Sequence, residues 1–203
     1  MKPAPATAAK TRASVVDDAS ARAKAIAAAG DLFYARGIQS VGMDTLSRDA
    51  GIGLKRLYQL FPSKEAIVEQ VLAARHEKWT TGLDAAARRA PTPRDKLLTI
   101  FDFLGEWFAS DGFRGCVFIN SFGELGGKSP RIAEIARAHK HQFQHYLAEL
   151  AADAGAPAFL APQLALLAEG AQTTAAISGA DSAADARAAA VTLIDAALGT
   201  QAR

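Results

Sequence analysis

Apolar residues recur every three or four positions through most of the chain, and nowhere does a sustained alternation of polar and apolar residues suggest a strand. That period is helical, so the pattern predicts an all-α fold. A first helix is expected over about residues 19–35, with Ile26, Ala29, Gly30 and Phe33 as its buried stripe and Gly37 closing it. Two short helices follow around Gly51, and a long helix runs from Ser63 to about Arg89, where APTPRD interrupts it. The helix expected over residues 94–109 carries Leu97, Ile100, Phe101, Leu104, Trp107 and Phe108 at helical spacing. After the short segment CVFINSFGEL, Pro130 opens another helix with Ile132, Ile135, His139, Phe143, Tyr146 and Leu150 on one stripe. Two alanine-rich helices, about residues 163–178 and 183–198, end the pattern.

The segment from Ser40 to Ile67 is the most specific in the chain. Gly51 stands where a sharp connection between helices needs a left-handed backbone. Leu46, Ala50, Ile52, Leu57 and Leu60 are spaced to face one another across that bend, and their burial would set the angle between the helices. Gly42 and Gly53 occupy the N-cap positions. With Leu57 and Leu60 turned inward, Lys55, Arg56, Tyr58 and Gln59 face outward. Those side chains suit DNA: Arg and Lys donate to guanine edges or phosphate, Gln reads adenine, and a Tyr hydroxyl reaches phosphate. Phe61-Pro62 stops the helix, and Ser63 caps the next one, with Glu65 near its positive end. The pattern is that of a helix-turn-helix. A plain helical hairpin with Lys55 and Arg56 on a solvated face is the alternative.

Charge follows the same division. The overall +2 conceals 10 Lys and Arg against 5 Asp and Glu in residues 1–64, a net +5. Residues 65–203 hold 13 against 16, a net −3. Counterion release would reward positive charge on the first part. Residues 1–18, rich in Ala, Pro and Thr with Lys2, Lys10 and Arg12, are expected to form a flexible basic arm. Half of the 203 residues are hydrophobic, yet no apolar run would span a membrane, and the N-terminus lacks the apolar core of a secretory signal. One cysteine excludes an internal disulfide framework. A cytoplasmic protein is expected.

From about Arg22 to Leu72, in IAAAGDLFYARGIQSVGMDTLSRDAGIG and LKRLYQLFPSKEAIVEQVL, the chain resembles the TetR family of bacterial transcriptional regulators. The run from Leu57 to Glu65 is the most specific piece. The resemblance implies a three-helix helix-turn-helix domain over residues 19–64 and a helical ligand-binding and dimerisation domain over residues 65–203. It implies a homodimer on a palindromic double-stranded operator, acting as a ligand-responsive repressor. Thr45 and Lys64 would then lie near phosphates, Tyr58 and Gln59 on the operator, Lys55 and Arg56 on bases, with Gly53 and Leu54 at the start of the reading helix. Gly42 and Gly53 depart from the Thr and Ser frequent in the family, Leu60 from an aromatic and Lys55 from a Gly.

The last two helices carry small apolar faces: Leu164, Leu167, Ala168, Ala171 and Ala175 on one, Ala188, Val191, Ile194 and Leu198 on the other. These suit either internal packing or a four-helix interface between two copies. The resemblance implies the latter. It also implies a largely apolar small-molecule effector among the aromatic middle helices, with Phe103, Trp107, Cys116, Asn120, Glu124, His139 and Phe143 as candidate lining. Cys116 lies in RGCVFIN, which resembles a segment in a branch of TetR regulators, some of which respond to reactive electrophiles; a buried small hydrophobe is the plainer reading. His141 and His145 share a helix face, but only Glu149 follows at the next matching spacing and no cysteine cluster accompanies them, so no metal or cofactor is expected. GGKSP lacks the glycine spacing of a phosphate loop. A helical enzyme or carrier using the aromatic pocket is the rival function, but no acid, base or nucleophile motif supports it.

Overall fold

The computed structural model describes residues 7–179 and 181–199, with side chains from residue 17 onward. Among them lie nine helices and no strand: α1 (Thr7–Arg36), α2 (Met43–Asp49), α3 (Leu54–Leu60), α4 (Lys64–Ala87), α5 (Pro93–Phe108), α6 (Val117–Leu125), α7 (Pro130–Asp153), α8 (Leu160–Ser178) and α9 (Ser182–Leu198). None is long and apolar enough to cross a membrane. Two compact units divide the chain, Met1–Ala73 and Ala74–Arg203, so the boundary lies inside α4 and not after residue 64.

One difference from expectation is where α1 begins. It starts at Thr7, so the expected basic arm is helical for most of its length; residues 1–6 of that arm lie outside the described residues. The physical reason is local. Between Thr7 and Ala29 the chain has neither glycine nor proline and is rich in alanine, the best helix former. Further along α1, Ala25, Ala29, Leu32 and Phe33 are buried. They share the first unit's interior with Ile38, Val41, Leu46, Ile52, Leu57, Leu60 and Phe61. The start of α4 belongs there too: Ile67, Val68, Val71 and Leu72 are buried, and a Cβ at Gly30 would sit 3.7 Å from Val71.

The second unit is a bundle of α5, α7, α8 and α9. Its core includes Leu97, Phe101, Leu104, Phe143, Leu147, Leu164, Ala168, Ala190 and Ile194. Proline and a hydroxyl cap open two of these helices. Thr92 Oγ1 accepts from Asp95 N at 3.1 Å ahead of Pro93, and Ser129 Oγ accepts from Ile132 N at 3.1 Å ahead of Pro130. Polar ties cross the bundle. Arg94 donates to both carboxylate oxygens of Asp195 at 2.6 and 3.0 Å, joining α5 to α9, and Lys140 meets Glu169 at 2.7 Å, joining α7 to α8.

The small-residue stripes divide between the unit's own interior and its surface: Leu167, Ala175, Val191 and Leu198 are half-buried and Ala188 is exposed. Leu164, Ala168, Ala171 and Ile194 are buried within this single copy. A different stripe of α8 stays exposed, with Leu166, Gly170, Thr173 and Ile177 at the spacing of one helical face. Leu166 and Ile177 are 75% and 80% exposed, the two most exposed of the large apolar side chains among the described residues.

Candidate nucleic-acid interface

The turn between α2 and α3 is built from a short set of bonds. Gly51 takes φ +65°, the left-handed conformation that lets the chain reverse without a Cβ clash. Ile52 N donates to Ser47 O at 3.0 Å, and Ser47 Oγ donates back to Ile52 O at 2.6 Å. Ser47 therefore locks the turn from the α2 side, a role with no signature in the apolar spacing. Leu46, Ile52, Leu57 and Leu60 are buried as expected, whereas Ala50 is half-buried. At the far end, Phe61 leaves the helix in an extended conformation before Pro62 (φ −133°, ψ 115°), and its ring lies 5.0 Å beneath the Arg22 guanidinium. Ser63 Oγ then accepts from Ala66 N at 3.1 Å, starting α4.

With its two leucines inward, α3 leaves Leu54, Lys55, Tyr58 and Gln59 exposed, preceded by exposed Gly53. The structure thus brings five of the eight expected DNA-facing residues onto one open surface. Thr45 on α2 is half-buried. The two remaining residues are engaged within the protein. Lys64 Nζ donates to Ile38 O and Val41 O, both at 3.0 Å, which fastens the loop before α2 to the start of α4. Arg56 Nη2 donates to Asp18 Oδ1 and lies 3.4 Å from Asp17 Oδ2, both on α1.

The second unit holds a cleft of about 350 Å³ between α4 and α7, lined by His76, Trp79, Leu83, His139, Phe143 and Tyr146 among others. Of the seven lining residues expected from sequence, only His139 and Phe143 belong to it. Phe103 stands behind Trp79, with ring centroids 6.0 Å apart. Trp107 packs instead with Phe108 and Phe113. Asn120 is exposed and donates to Arg114 O at 3.0 Å, and Glu124 is half-buried on α6 away from that lining. Cys116 is buried, and Lys140 Nζ donates to its Sγ at 3.4 Å. His76 and Trp79 of α4 were missed. Their spacing with Leu83 marks a shared helical face, but nothing in sequence says that α7 covers it. His145 is exposed and pairs with Glu149 at 3.3 Å.

Among the polar groups of the cleft, which include Thr80, Gln142 and Glu149, two histidines pair. His139 Nδ1 lies 2.9 Å from His76 Nδ1, so one ring donates and the other accepts. Phe118 stacks on the His139 ring at 3.6 Å, nearly parallel, and Trp79 approaches it edge-on at 5.4 Å. Burial pushes the His139 pKa down to about 3, with Lys140 and His76 adding to the effect. At neutral pH this ring is uncharged.

Residues 25–71 match the family model for bacterial regulatory proteins of the tetR family. No curated protein matches the chain. Crystal structures do. A TetR-family transcriptional regulator of Streptomyces coelicolor is similar at 24% identity, covering 90% of this chain and 97% of its own, with a TM-score of 0.78. A tetR-type transcriptional regulator of Streptomyces avermitilis is similar at 27% identity over 87% and 97%, also at 0.78. The reduced form of Escherichia coli NemR matches at 20% identity over 85% and 95%, with a TM-score of 0.76. Residues 25–71 are therefore a TetR-family DNA-binding domain, carried on the fold of the TetR-family transcriptional regulators.

Proposed function

We propose that this regulator is a repressor that binds a palindromic operator as a homodimer and releases it when a small, largely apolar effector enters the cleft. The observation that carries the DNA half is the division of α3. Leu57 and Leu60 are buried, while Lys55, Tyr58 and Gln59 are exposed together on the opposite side. In this reading Lys55 and Arg56 donate to guanine edges, Gln59 reads adenine, and Tyr58 reaches phosphate. The backbone at Gly53 and Leu54 approaches the strand closely because Gly53 has no side chain, and Thr45 contacts the adjoining phosphate. Lys64 keeps one of its three N–H donors for phosphate, the other two being spent on carbonyls.

The exposed Leu166–Gly170–Thr173–Ile177 stripe of α8, with exposed Ala188, Thr192 and Ala196 on α9, supports pairing through the last two helices. Two reading helices related by a two-fold axis would meet half-sites about 34–36 Å apart. For the effector, a cleft of about 350 Å³ with aromatic walls, the uncharged His139 ring and a few further polar side chains suits a small aromatic or acyl molecule carrying a polar group. A full switch requires the effector to favour the non-binding geometry by about 5.5 kcal/mol, summed over the coupled sites.

The test is Lys55→Ala, measured on a duplex selected by the protein and on a random duplex of equal length. A loss of about 1–3 kcal/mol on the selected duplex, with little on the random one, is expected for base reading. Equal losses on both would move Lys55 to the phosphates.

A further inference from the structure

Arg56 stands apart on α3. It lies on the outward arc of the helix, yet it is less exposed than Lys55, Tyr58 and Gln59 because its guanidinium reaches back to α1. Asp18 Oδ1 accepts from Nη2, and Asp17 Oδ2 lies 3.4 Å from the same nitrogen. Lys55, Tyr58 and Gln59 form no comparable pair among the described residues. Both carboxylates use one terminal nitrogen, and among the described residues the guanidinium makes no further hydrogen bond, so Nη1 and Nε keep their donors. We propose that Asp17 and Asp18 are positioning residues for DNA recognition: they hold Arg56 in one orientation and tune how strictly it discriminates. The inference rests on the reading of α3 as the helix that meets base edges.

Two physical effects act in the same direction. An arginine held by a carboxylate has already lost much of its rotamer freedom, so less ordering remains when its open donors meet a base edge of the right geometry. The pair of carboxylates around one guanidinium also leaves a local charge of −1 where an unpaired arginine would present +1. Random DNA offers Arg56 mainly phosphates, which a bare cation attracts and this cluster does not. Discrimination therefore rises twice, through better aim on the right base and weaker attraction to the backbone. The pair is largely exposed, with Asp17 at 78% and Asp18 at 45%, so the effect is modest.

The experiment compares the full-length protein with the double variant Asp17→Asn/Asp18→Asn on a duplex selected from a random pool and on a random duplex of equal length. The ratio of the two affinities is the readout, because a general change in net charge moves both together and cancels. We expect the ratio to fall by about two- to fivefold, with random-duplex binding strengthened. Asp18→Glu, which keeps the carboxylate, should restore most of it. In an Arg56→Ala background the Asn substitutions should leave the ratio unchanged. An unchanged ratio in the double variant, or the same fall without Arg56, would overturn the assignment. The failures are separable: if Arg56→Ala itself lowers the ratio while the Asn variants do not, only the positioning role is lost. If Arg56→Ala leaves the ratio intact, base reading by Arg56 fails and the positioning role falls with it.

Discussion

Leu57→Ala should destabilise the first unit by about 2–5 kcal/mol and abolish operator binding. Leu57 is fully buried in the middle of α3, and α3 is only seven residues long. A helix that short has no stability of its own, since fewer than about a dozen residues rarely hold a helix in water. Its geometry comes from packing, above all from Leu57 and Leu60 turning toward Leu46 and Ile52 across the Gly51 turn. Truncating Leu57 removes the contact that aims Lys55, Arg56 and Gln59, so reading should fail even in molecules that stay folded elsewhere. Amide hydrogen exchange in α2 and α3 checks this directly, with Leu54→Ala as a control. Leu54 is 37% exposed, and its truncation should cost no more than about 0.5 kcal/mol. Unaltered exchange in α3 after Leu57→Ala would mean that some other contact sets the helix.

Acidification should weaken the second unit by a comparable amount. His139 has its pKa held down at about 3, against about 6.5 in an unfolded chain. Between those values the unfolded chain binds a proton that the folded ring refuses. Stability from this group is therefore complete above pH 6.5 and is lost steadily as pH falls below it. From pH 7.5 to pH 5.0 the loss is on the order of 2 kcal/mol. Lys140, next to His139 on α7, and His76, which faces it from α4, act in the same sense. Urea unfolding followed by tryptophan fluorescence is suited to the measurement, because Trp79 touches the ring. His139→Gln should flatten the pH dependence between 7.5 and 5.0, and an undiminished slope in that variant would assign the effect elsewhere.

What was legible in the sequence was what lies close along the chain. The Gly51 turn, the buried set around it, the exposed arc of α3 and the stop at Phe61-Pro62 all follow from spacing within about twenty residues. The break at APTPRD and the helix opened at Pro130 are equally local, whereas the hydroxyl caps of Thr92 and Ser129 emerged only from the structure. What was hidden depends on partners far away in sequence. Arg56 reads as a free outward cation until Asp17 and Asp18 come back across α1, and Lys64 reads as a phosphate ligand until its ammonium meets the carbonyls of Ile38 and Val41. The cleft was misplaced for the same reason. Aromatics were counted along the middle helices, but the wall is shared by His76 and Trp79 of α4, while Trp107 closes a separate cluster with Phe108 and Phe113. Small-residue stripes were ambiguous in principle, since one spacing serves an internal helix contact and a contact with a second copy. Burial separates them, assigning Ala168 and Ala171 to the core and leaving Leu166 and Ile177 outside.

Selection of bound duplexes from a random pool, with the stoichiometry of the selected complex measured, tests the central claim most directly. The expected result is enrichment of one short palindrome whose half-sites are about one helical turn apart. Two chains should sit on each duplex, and enrichment should be lost when Lys55 and Gln59 are both changed to alanine. Recovery of unenriched DNA, or a single chain bound with no preferred sequence, would contradict it.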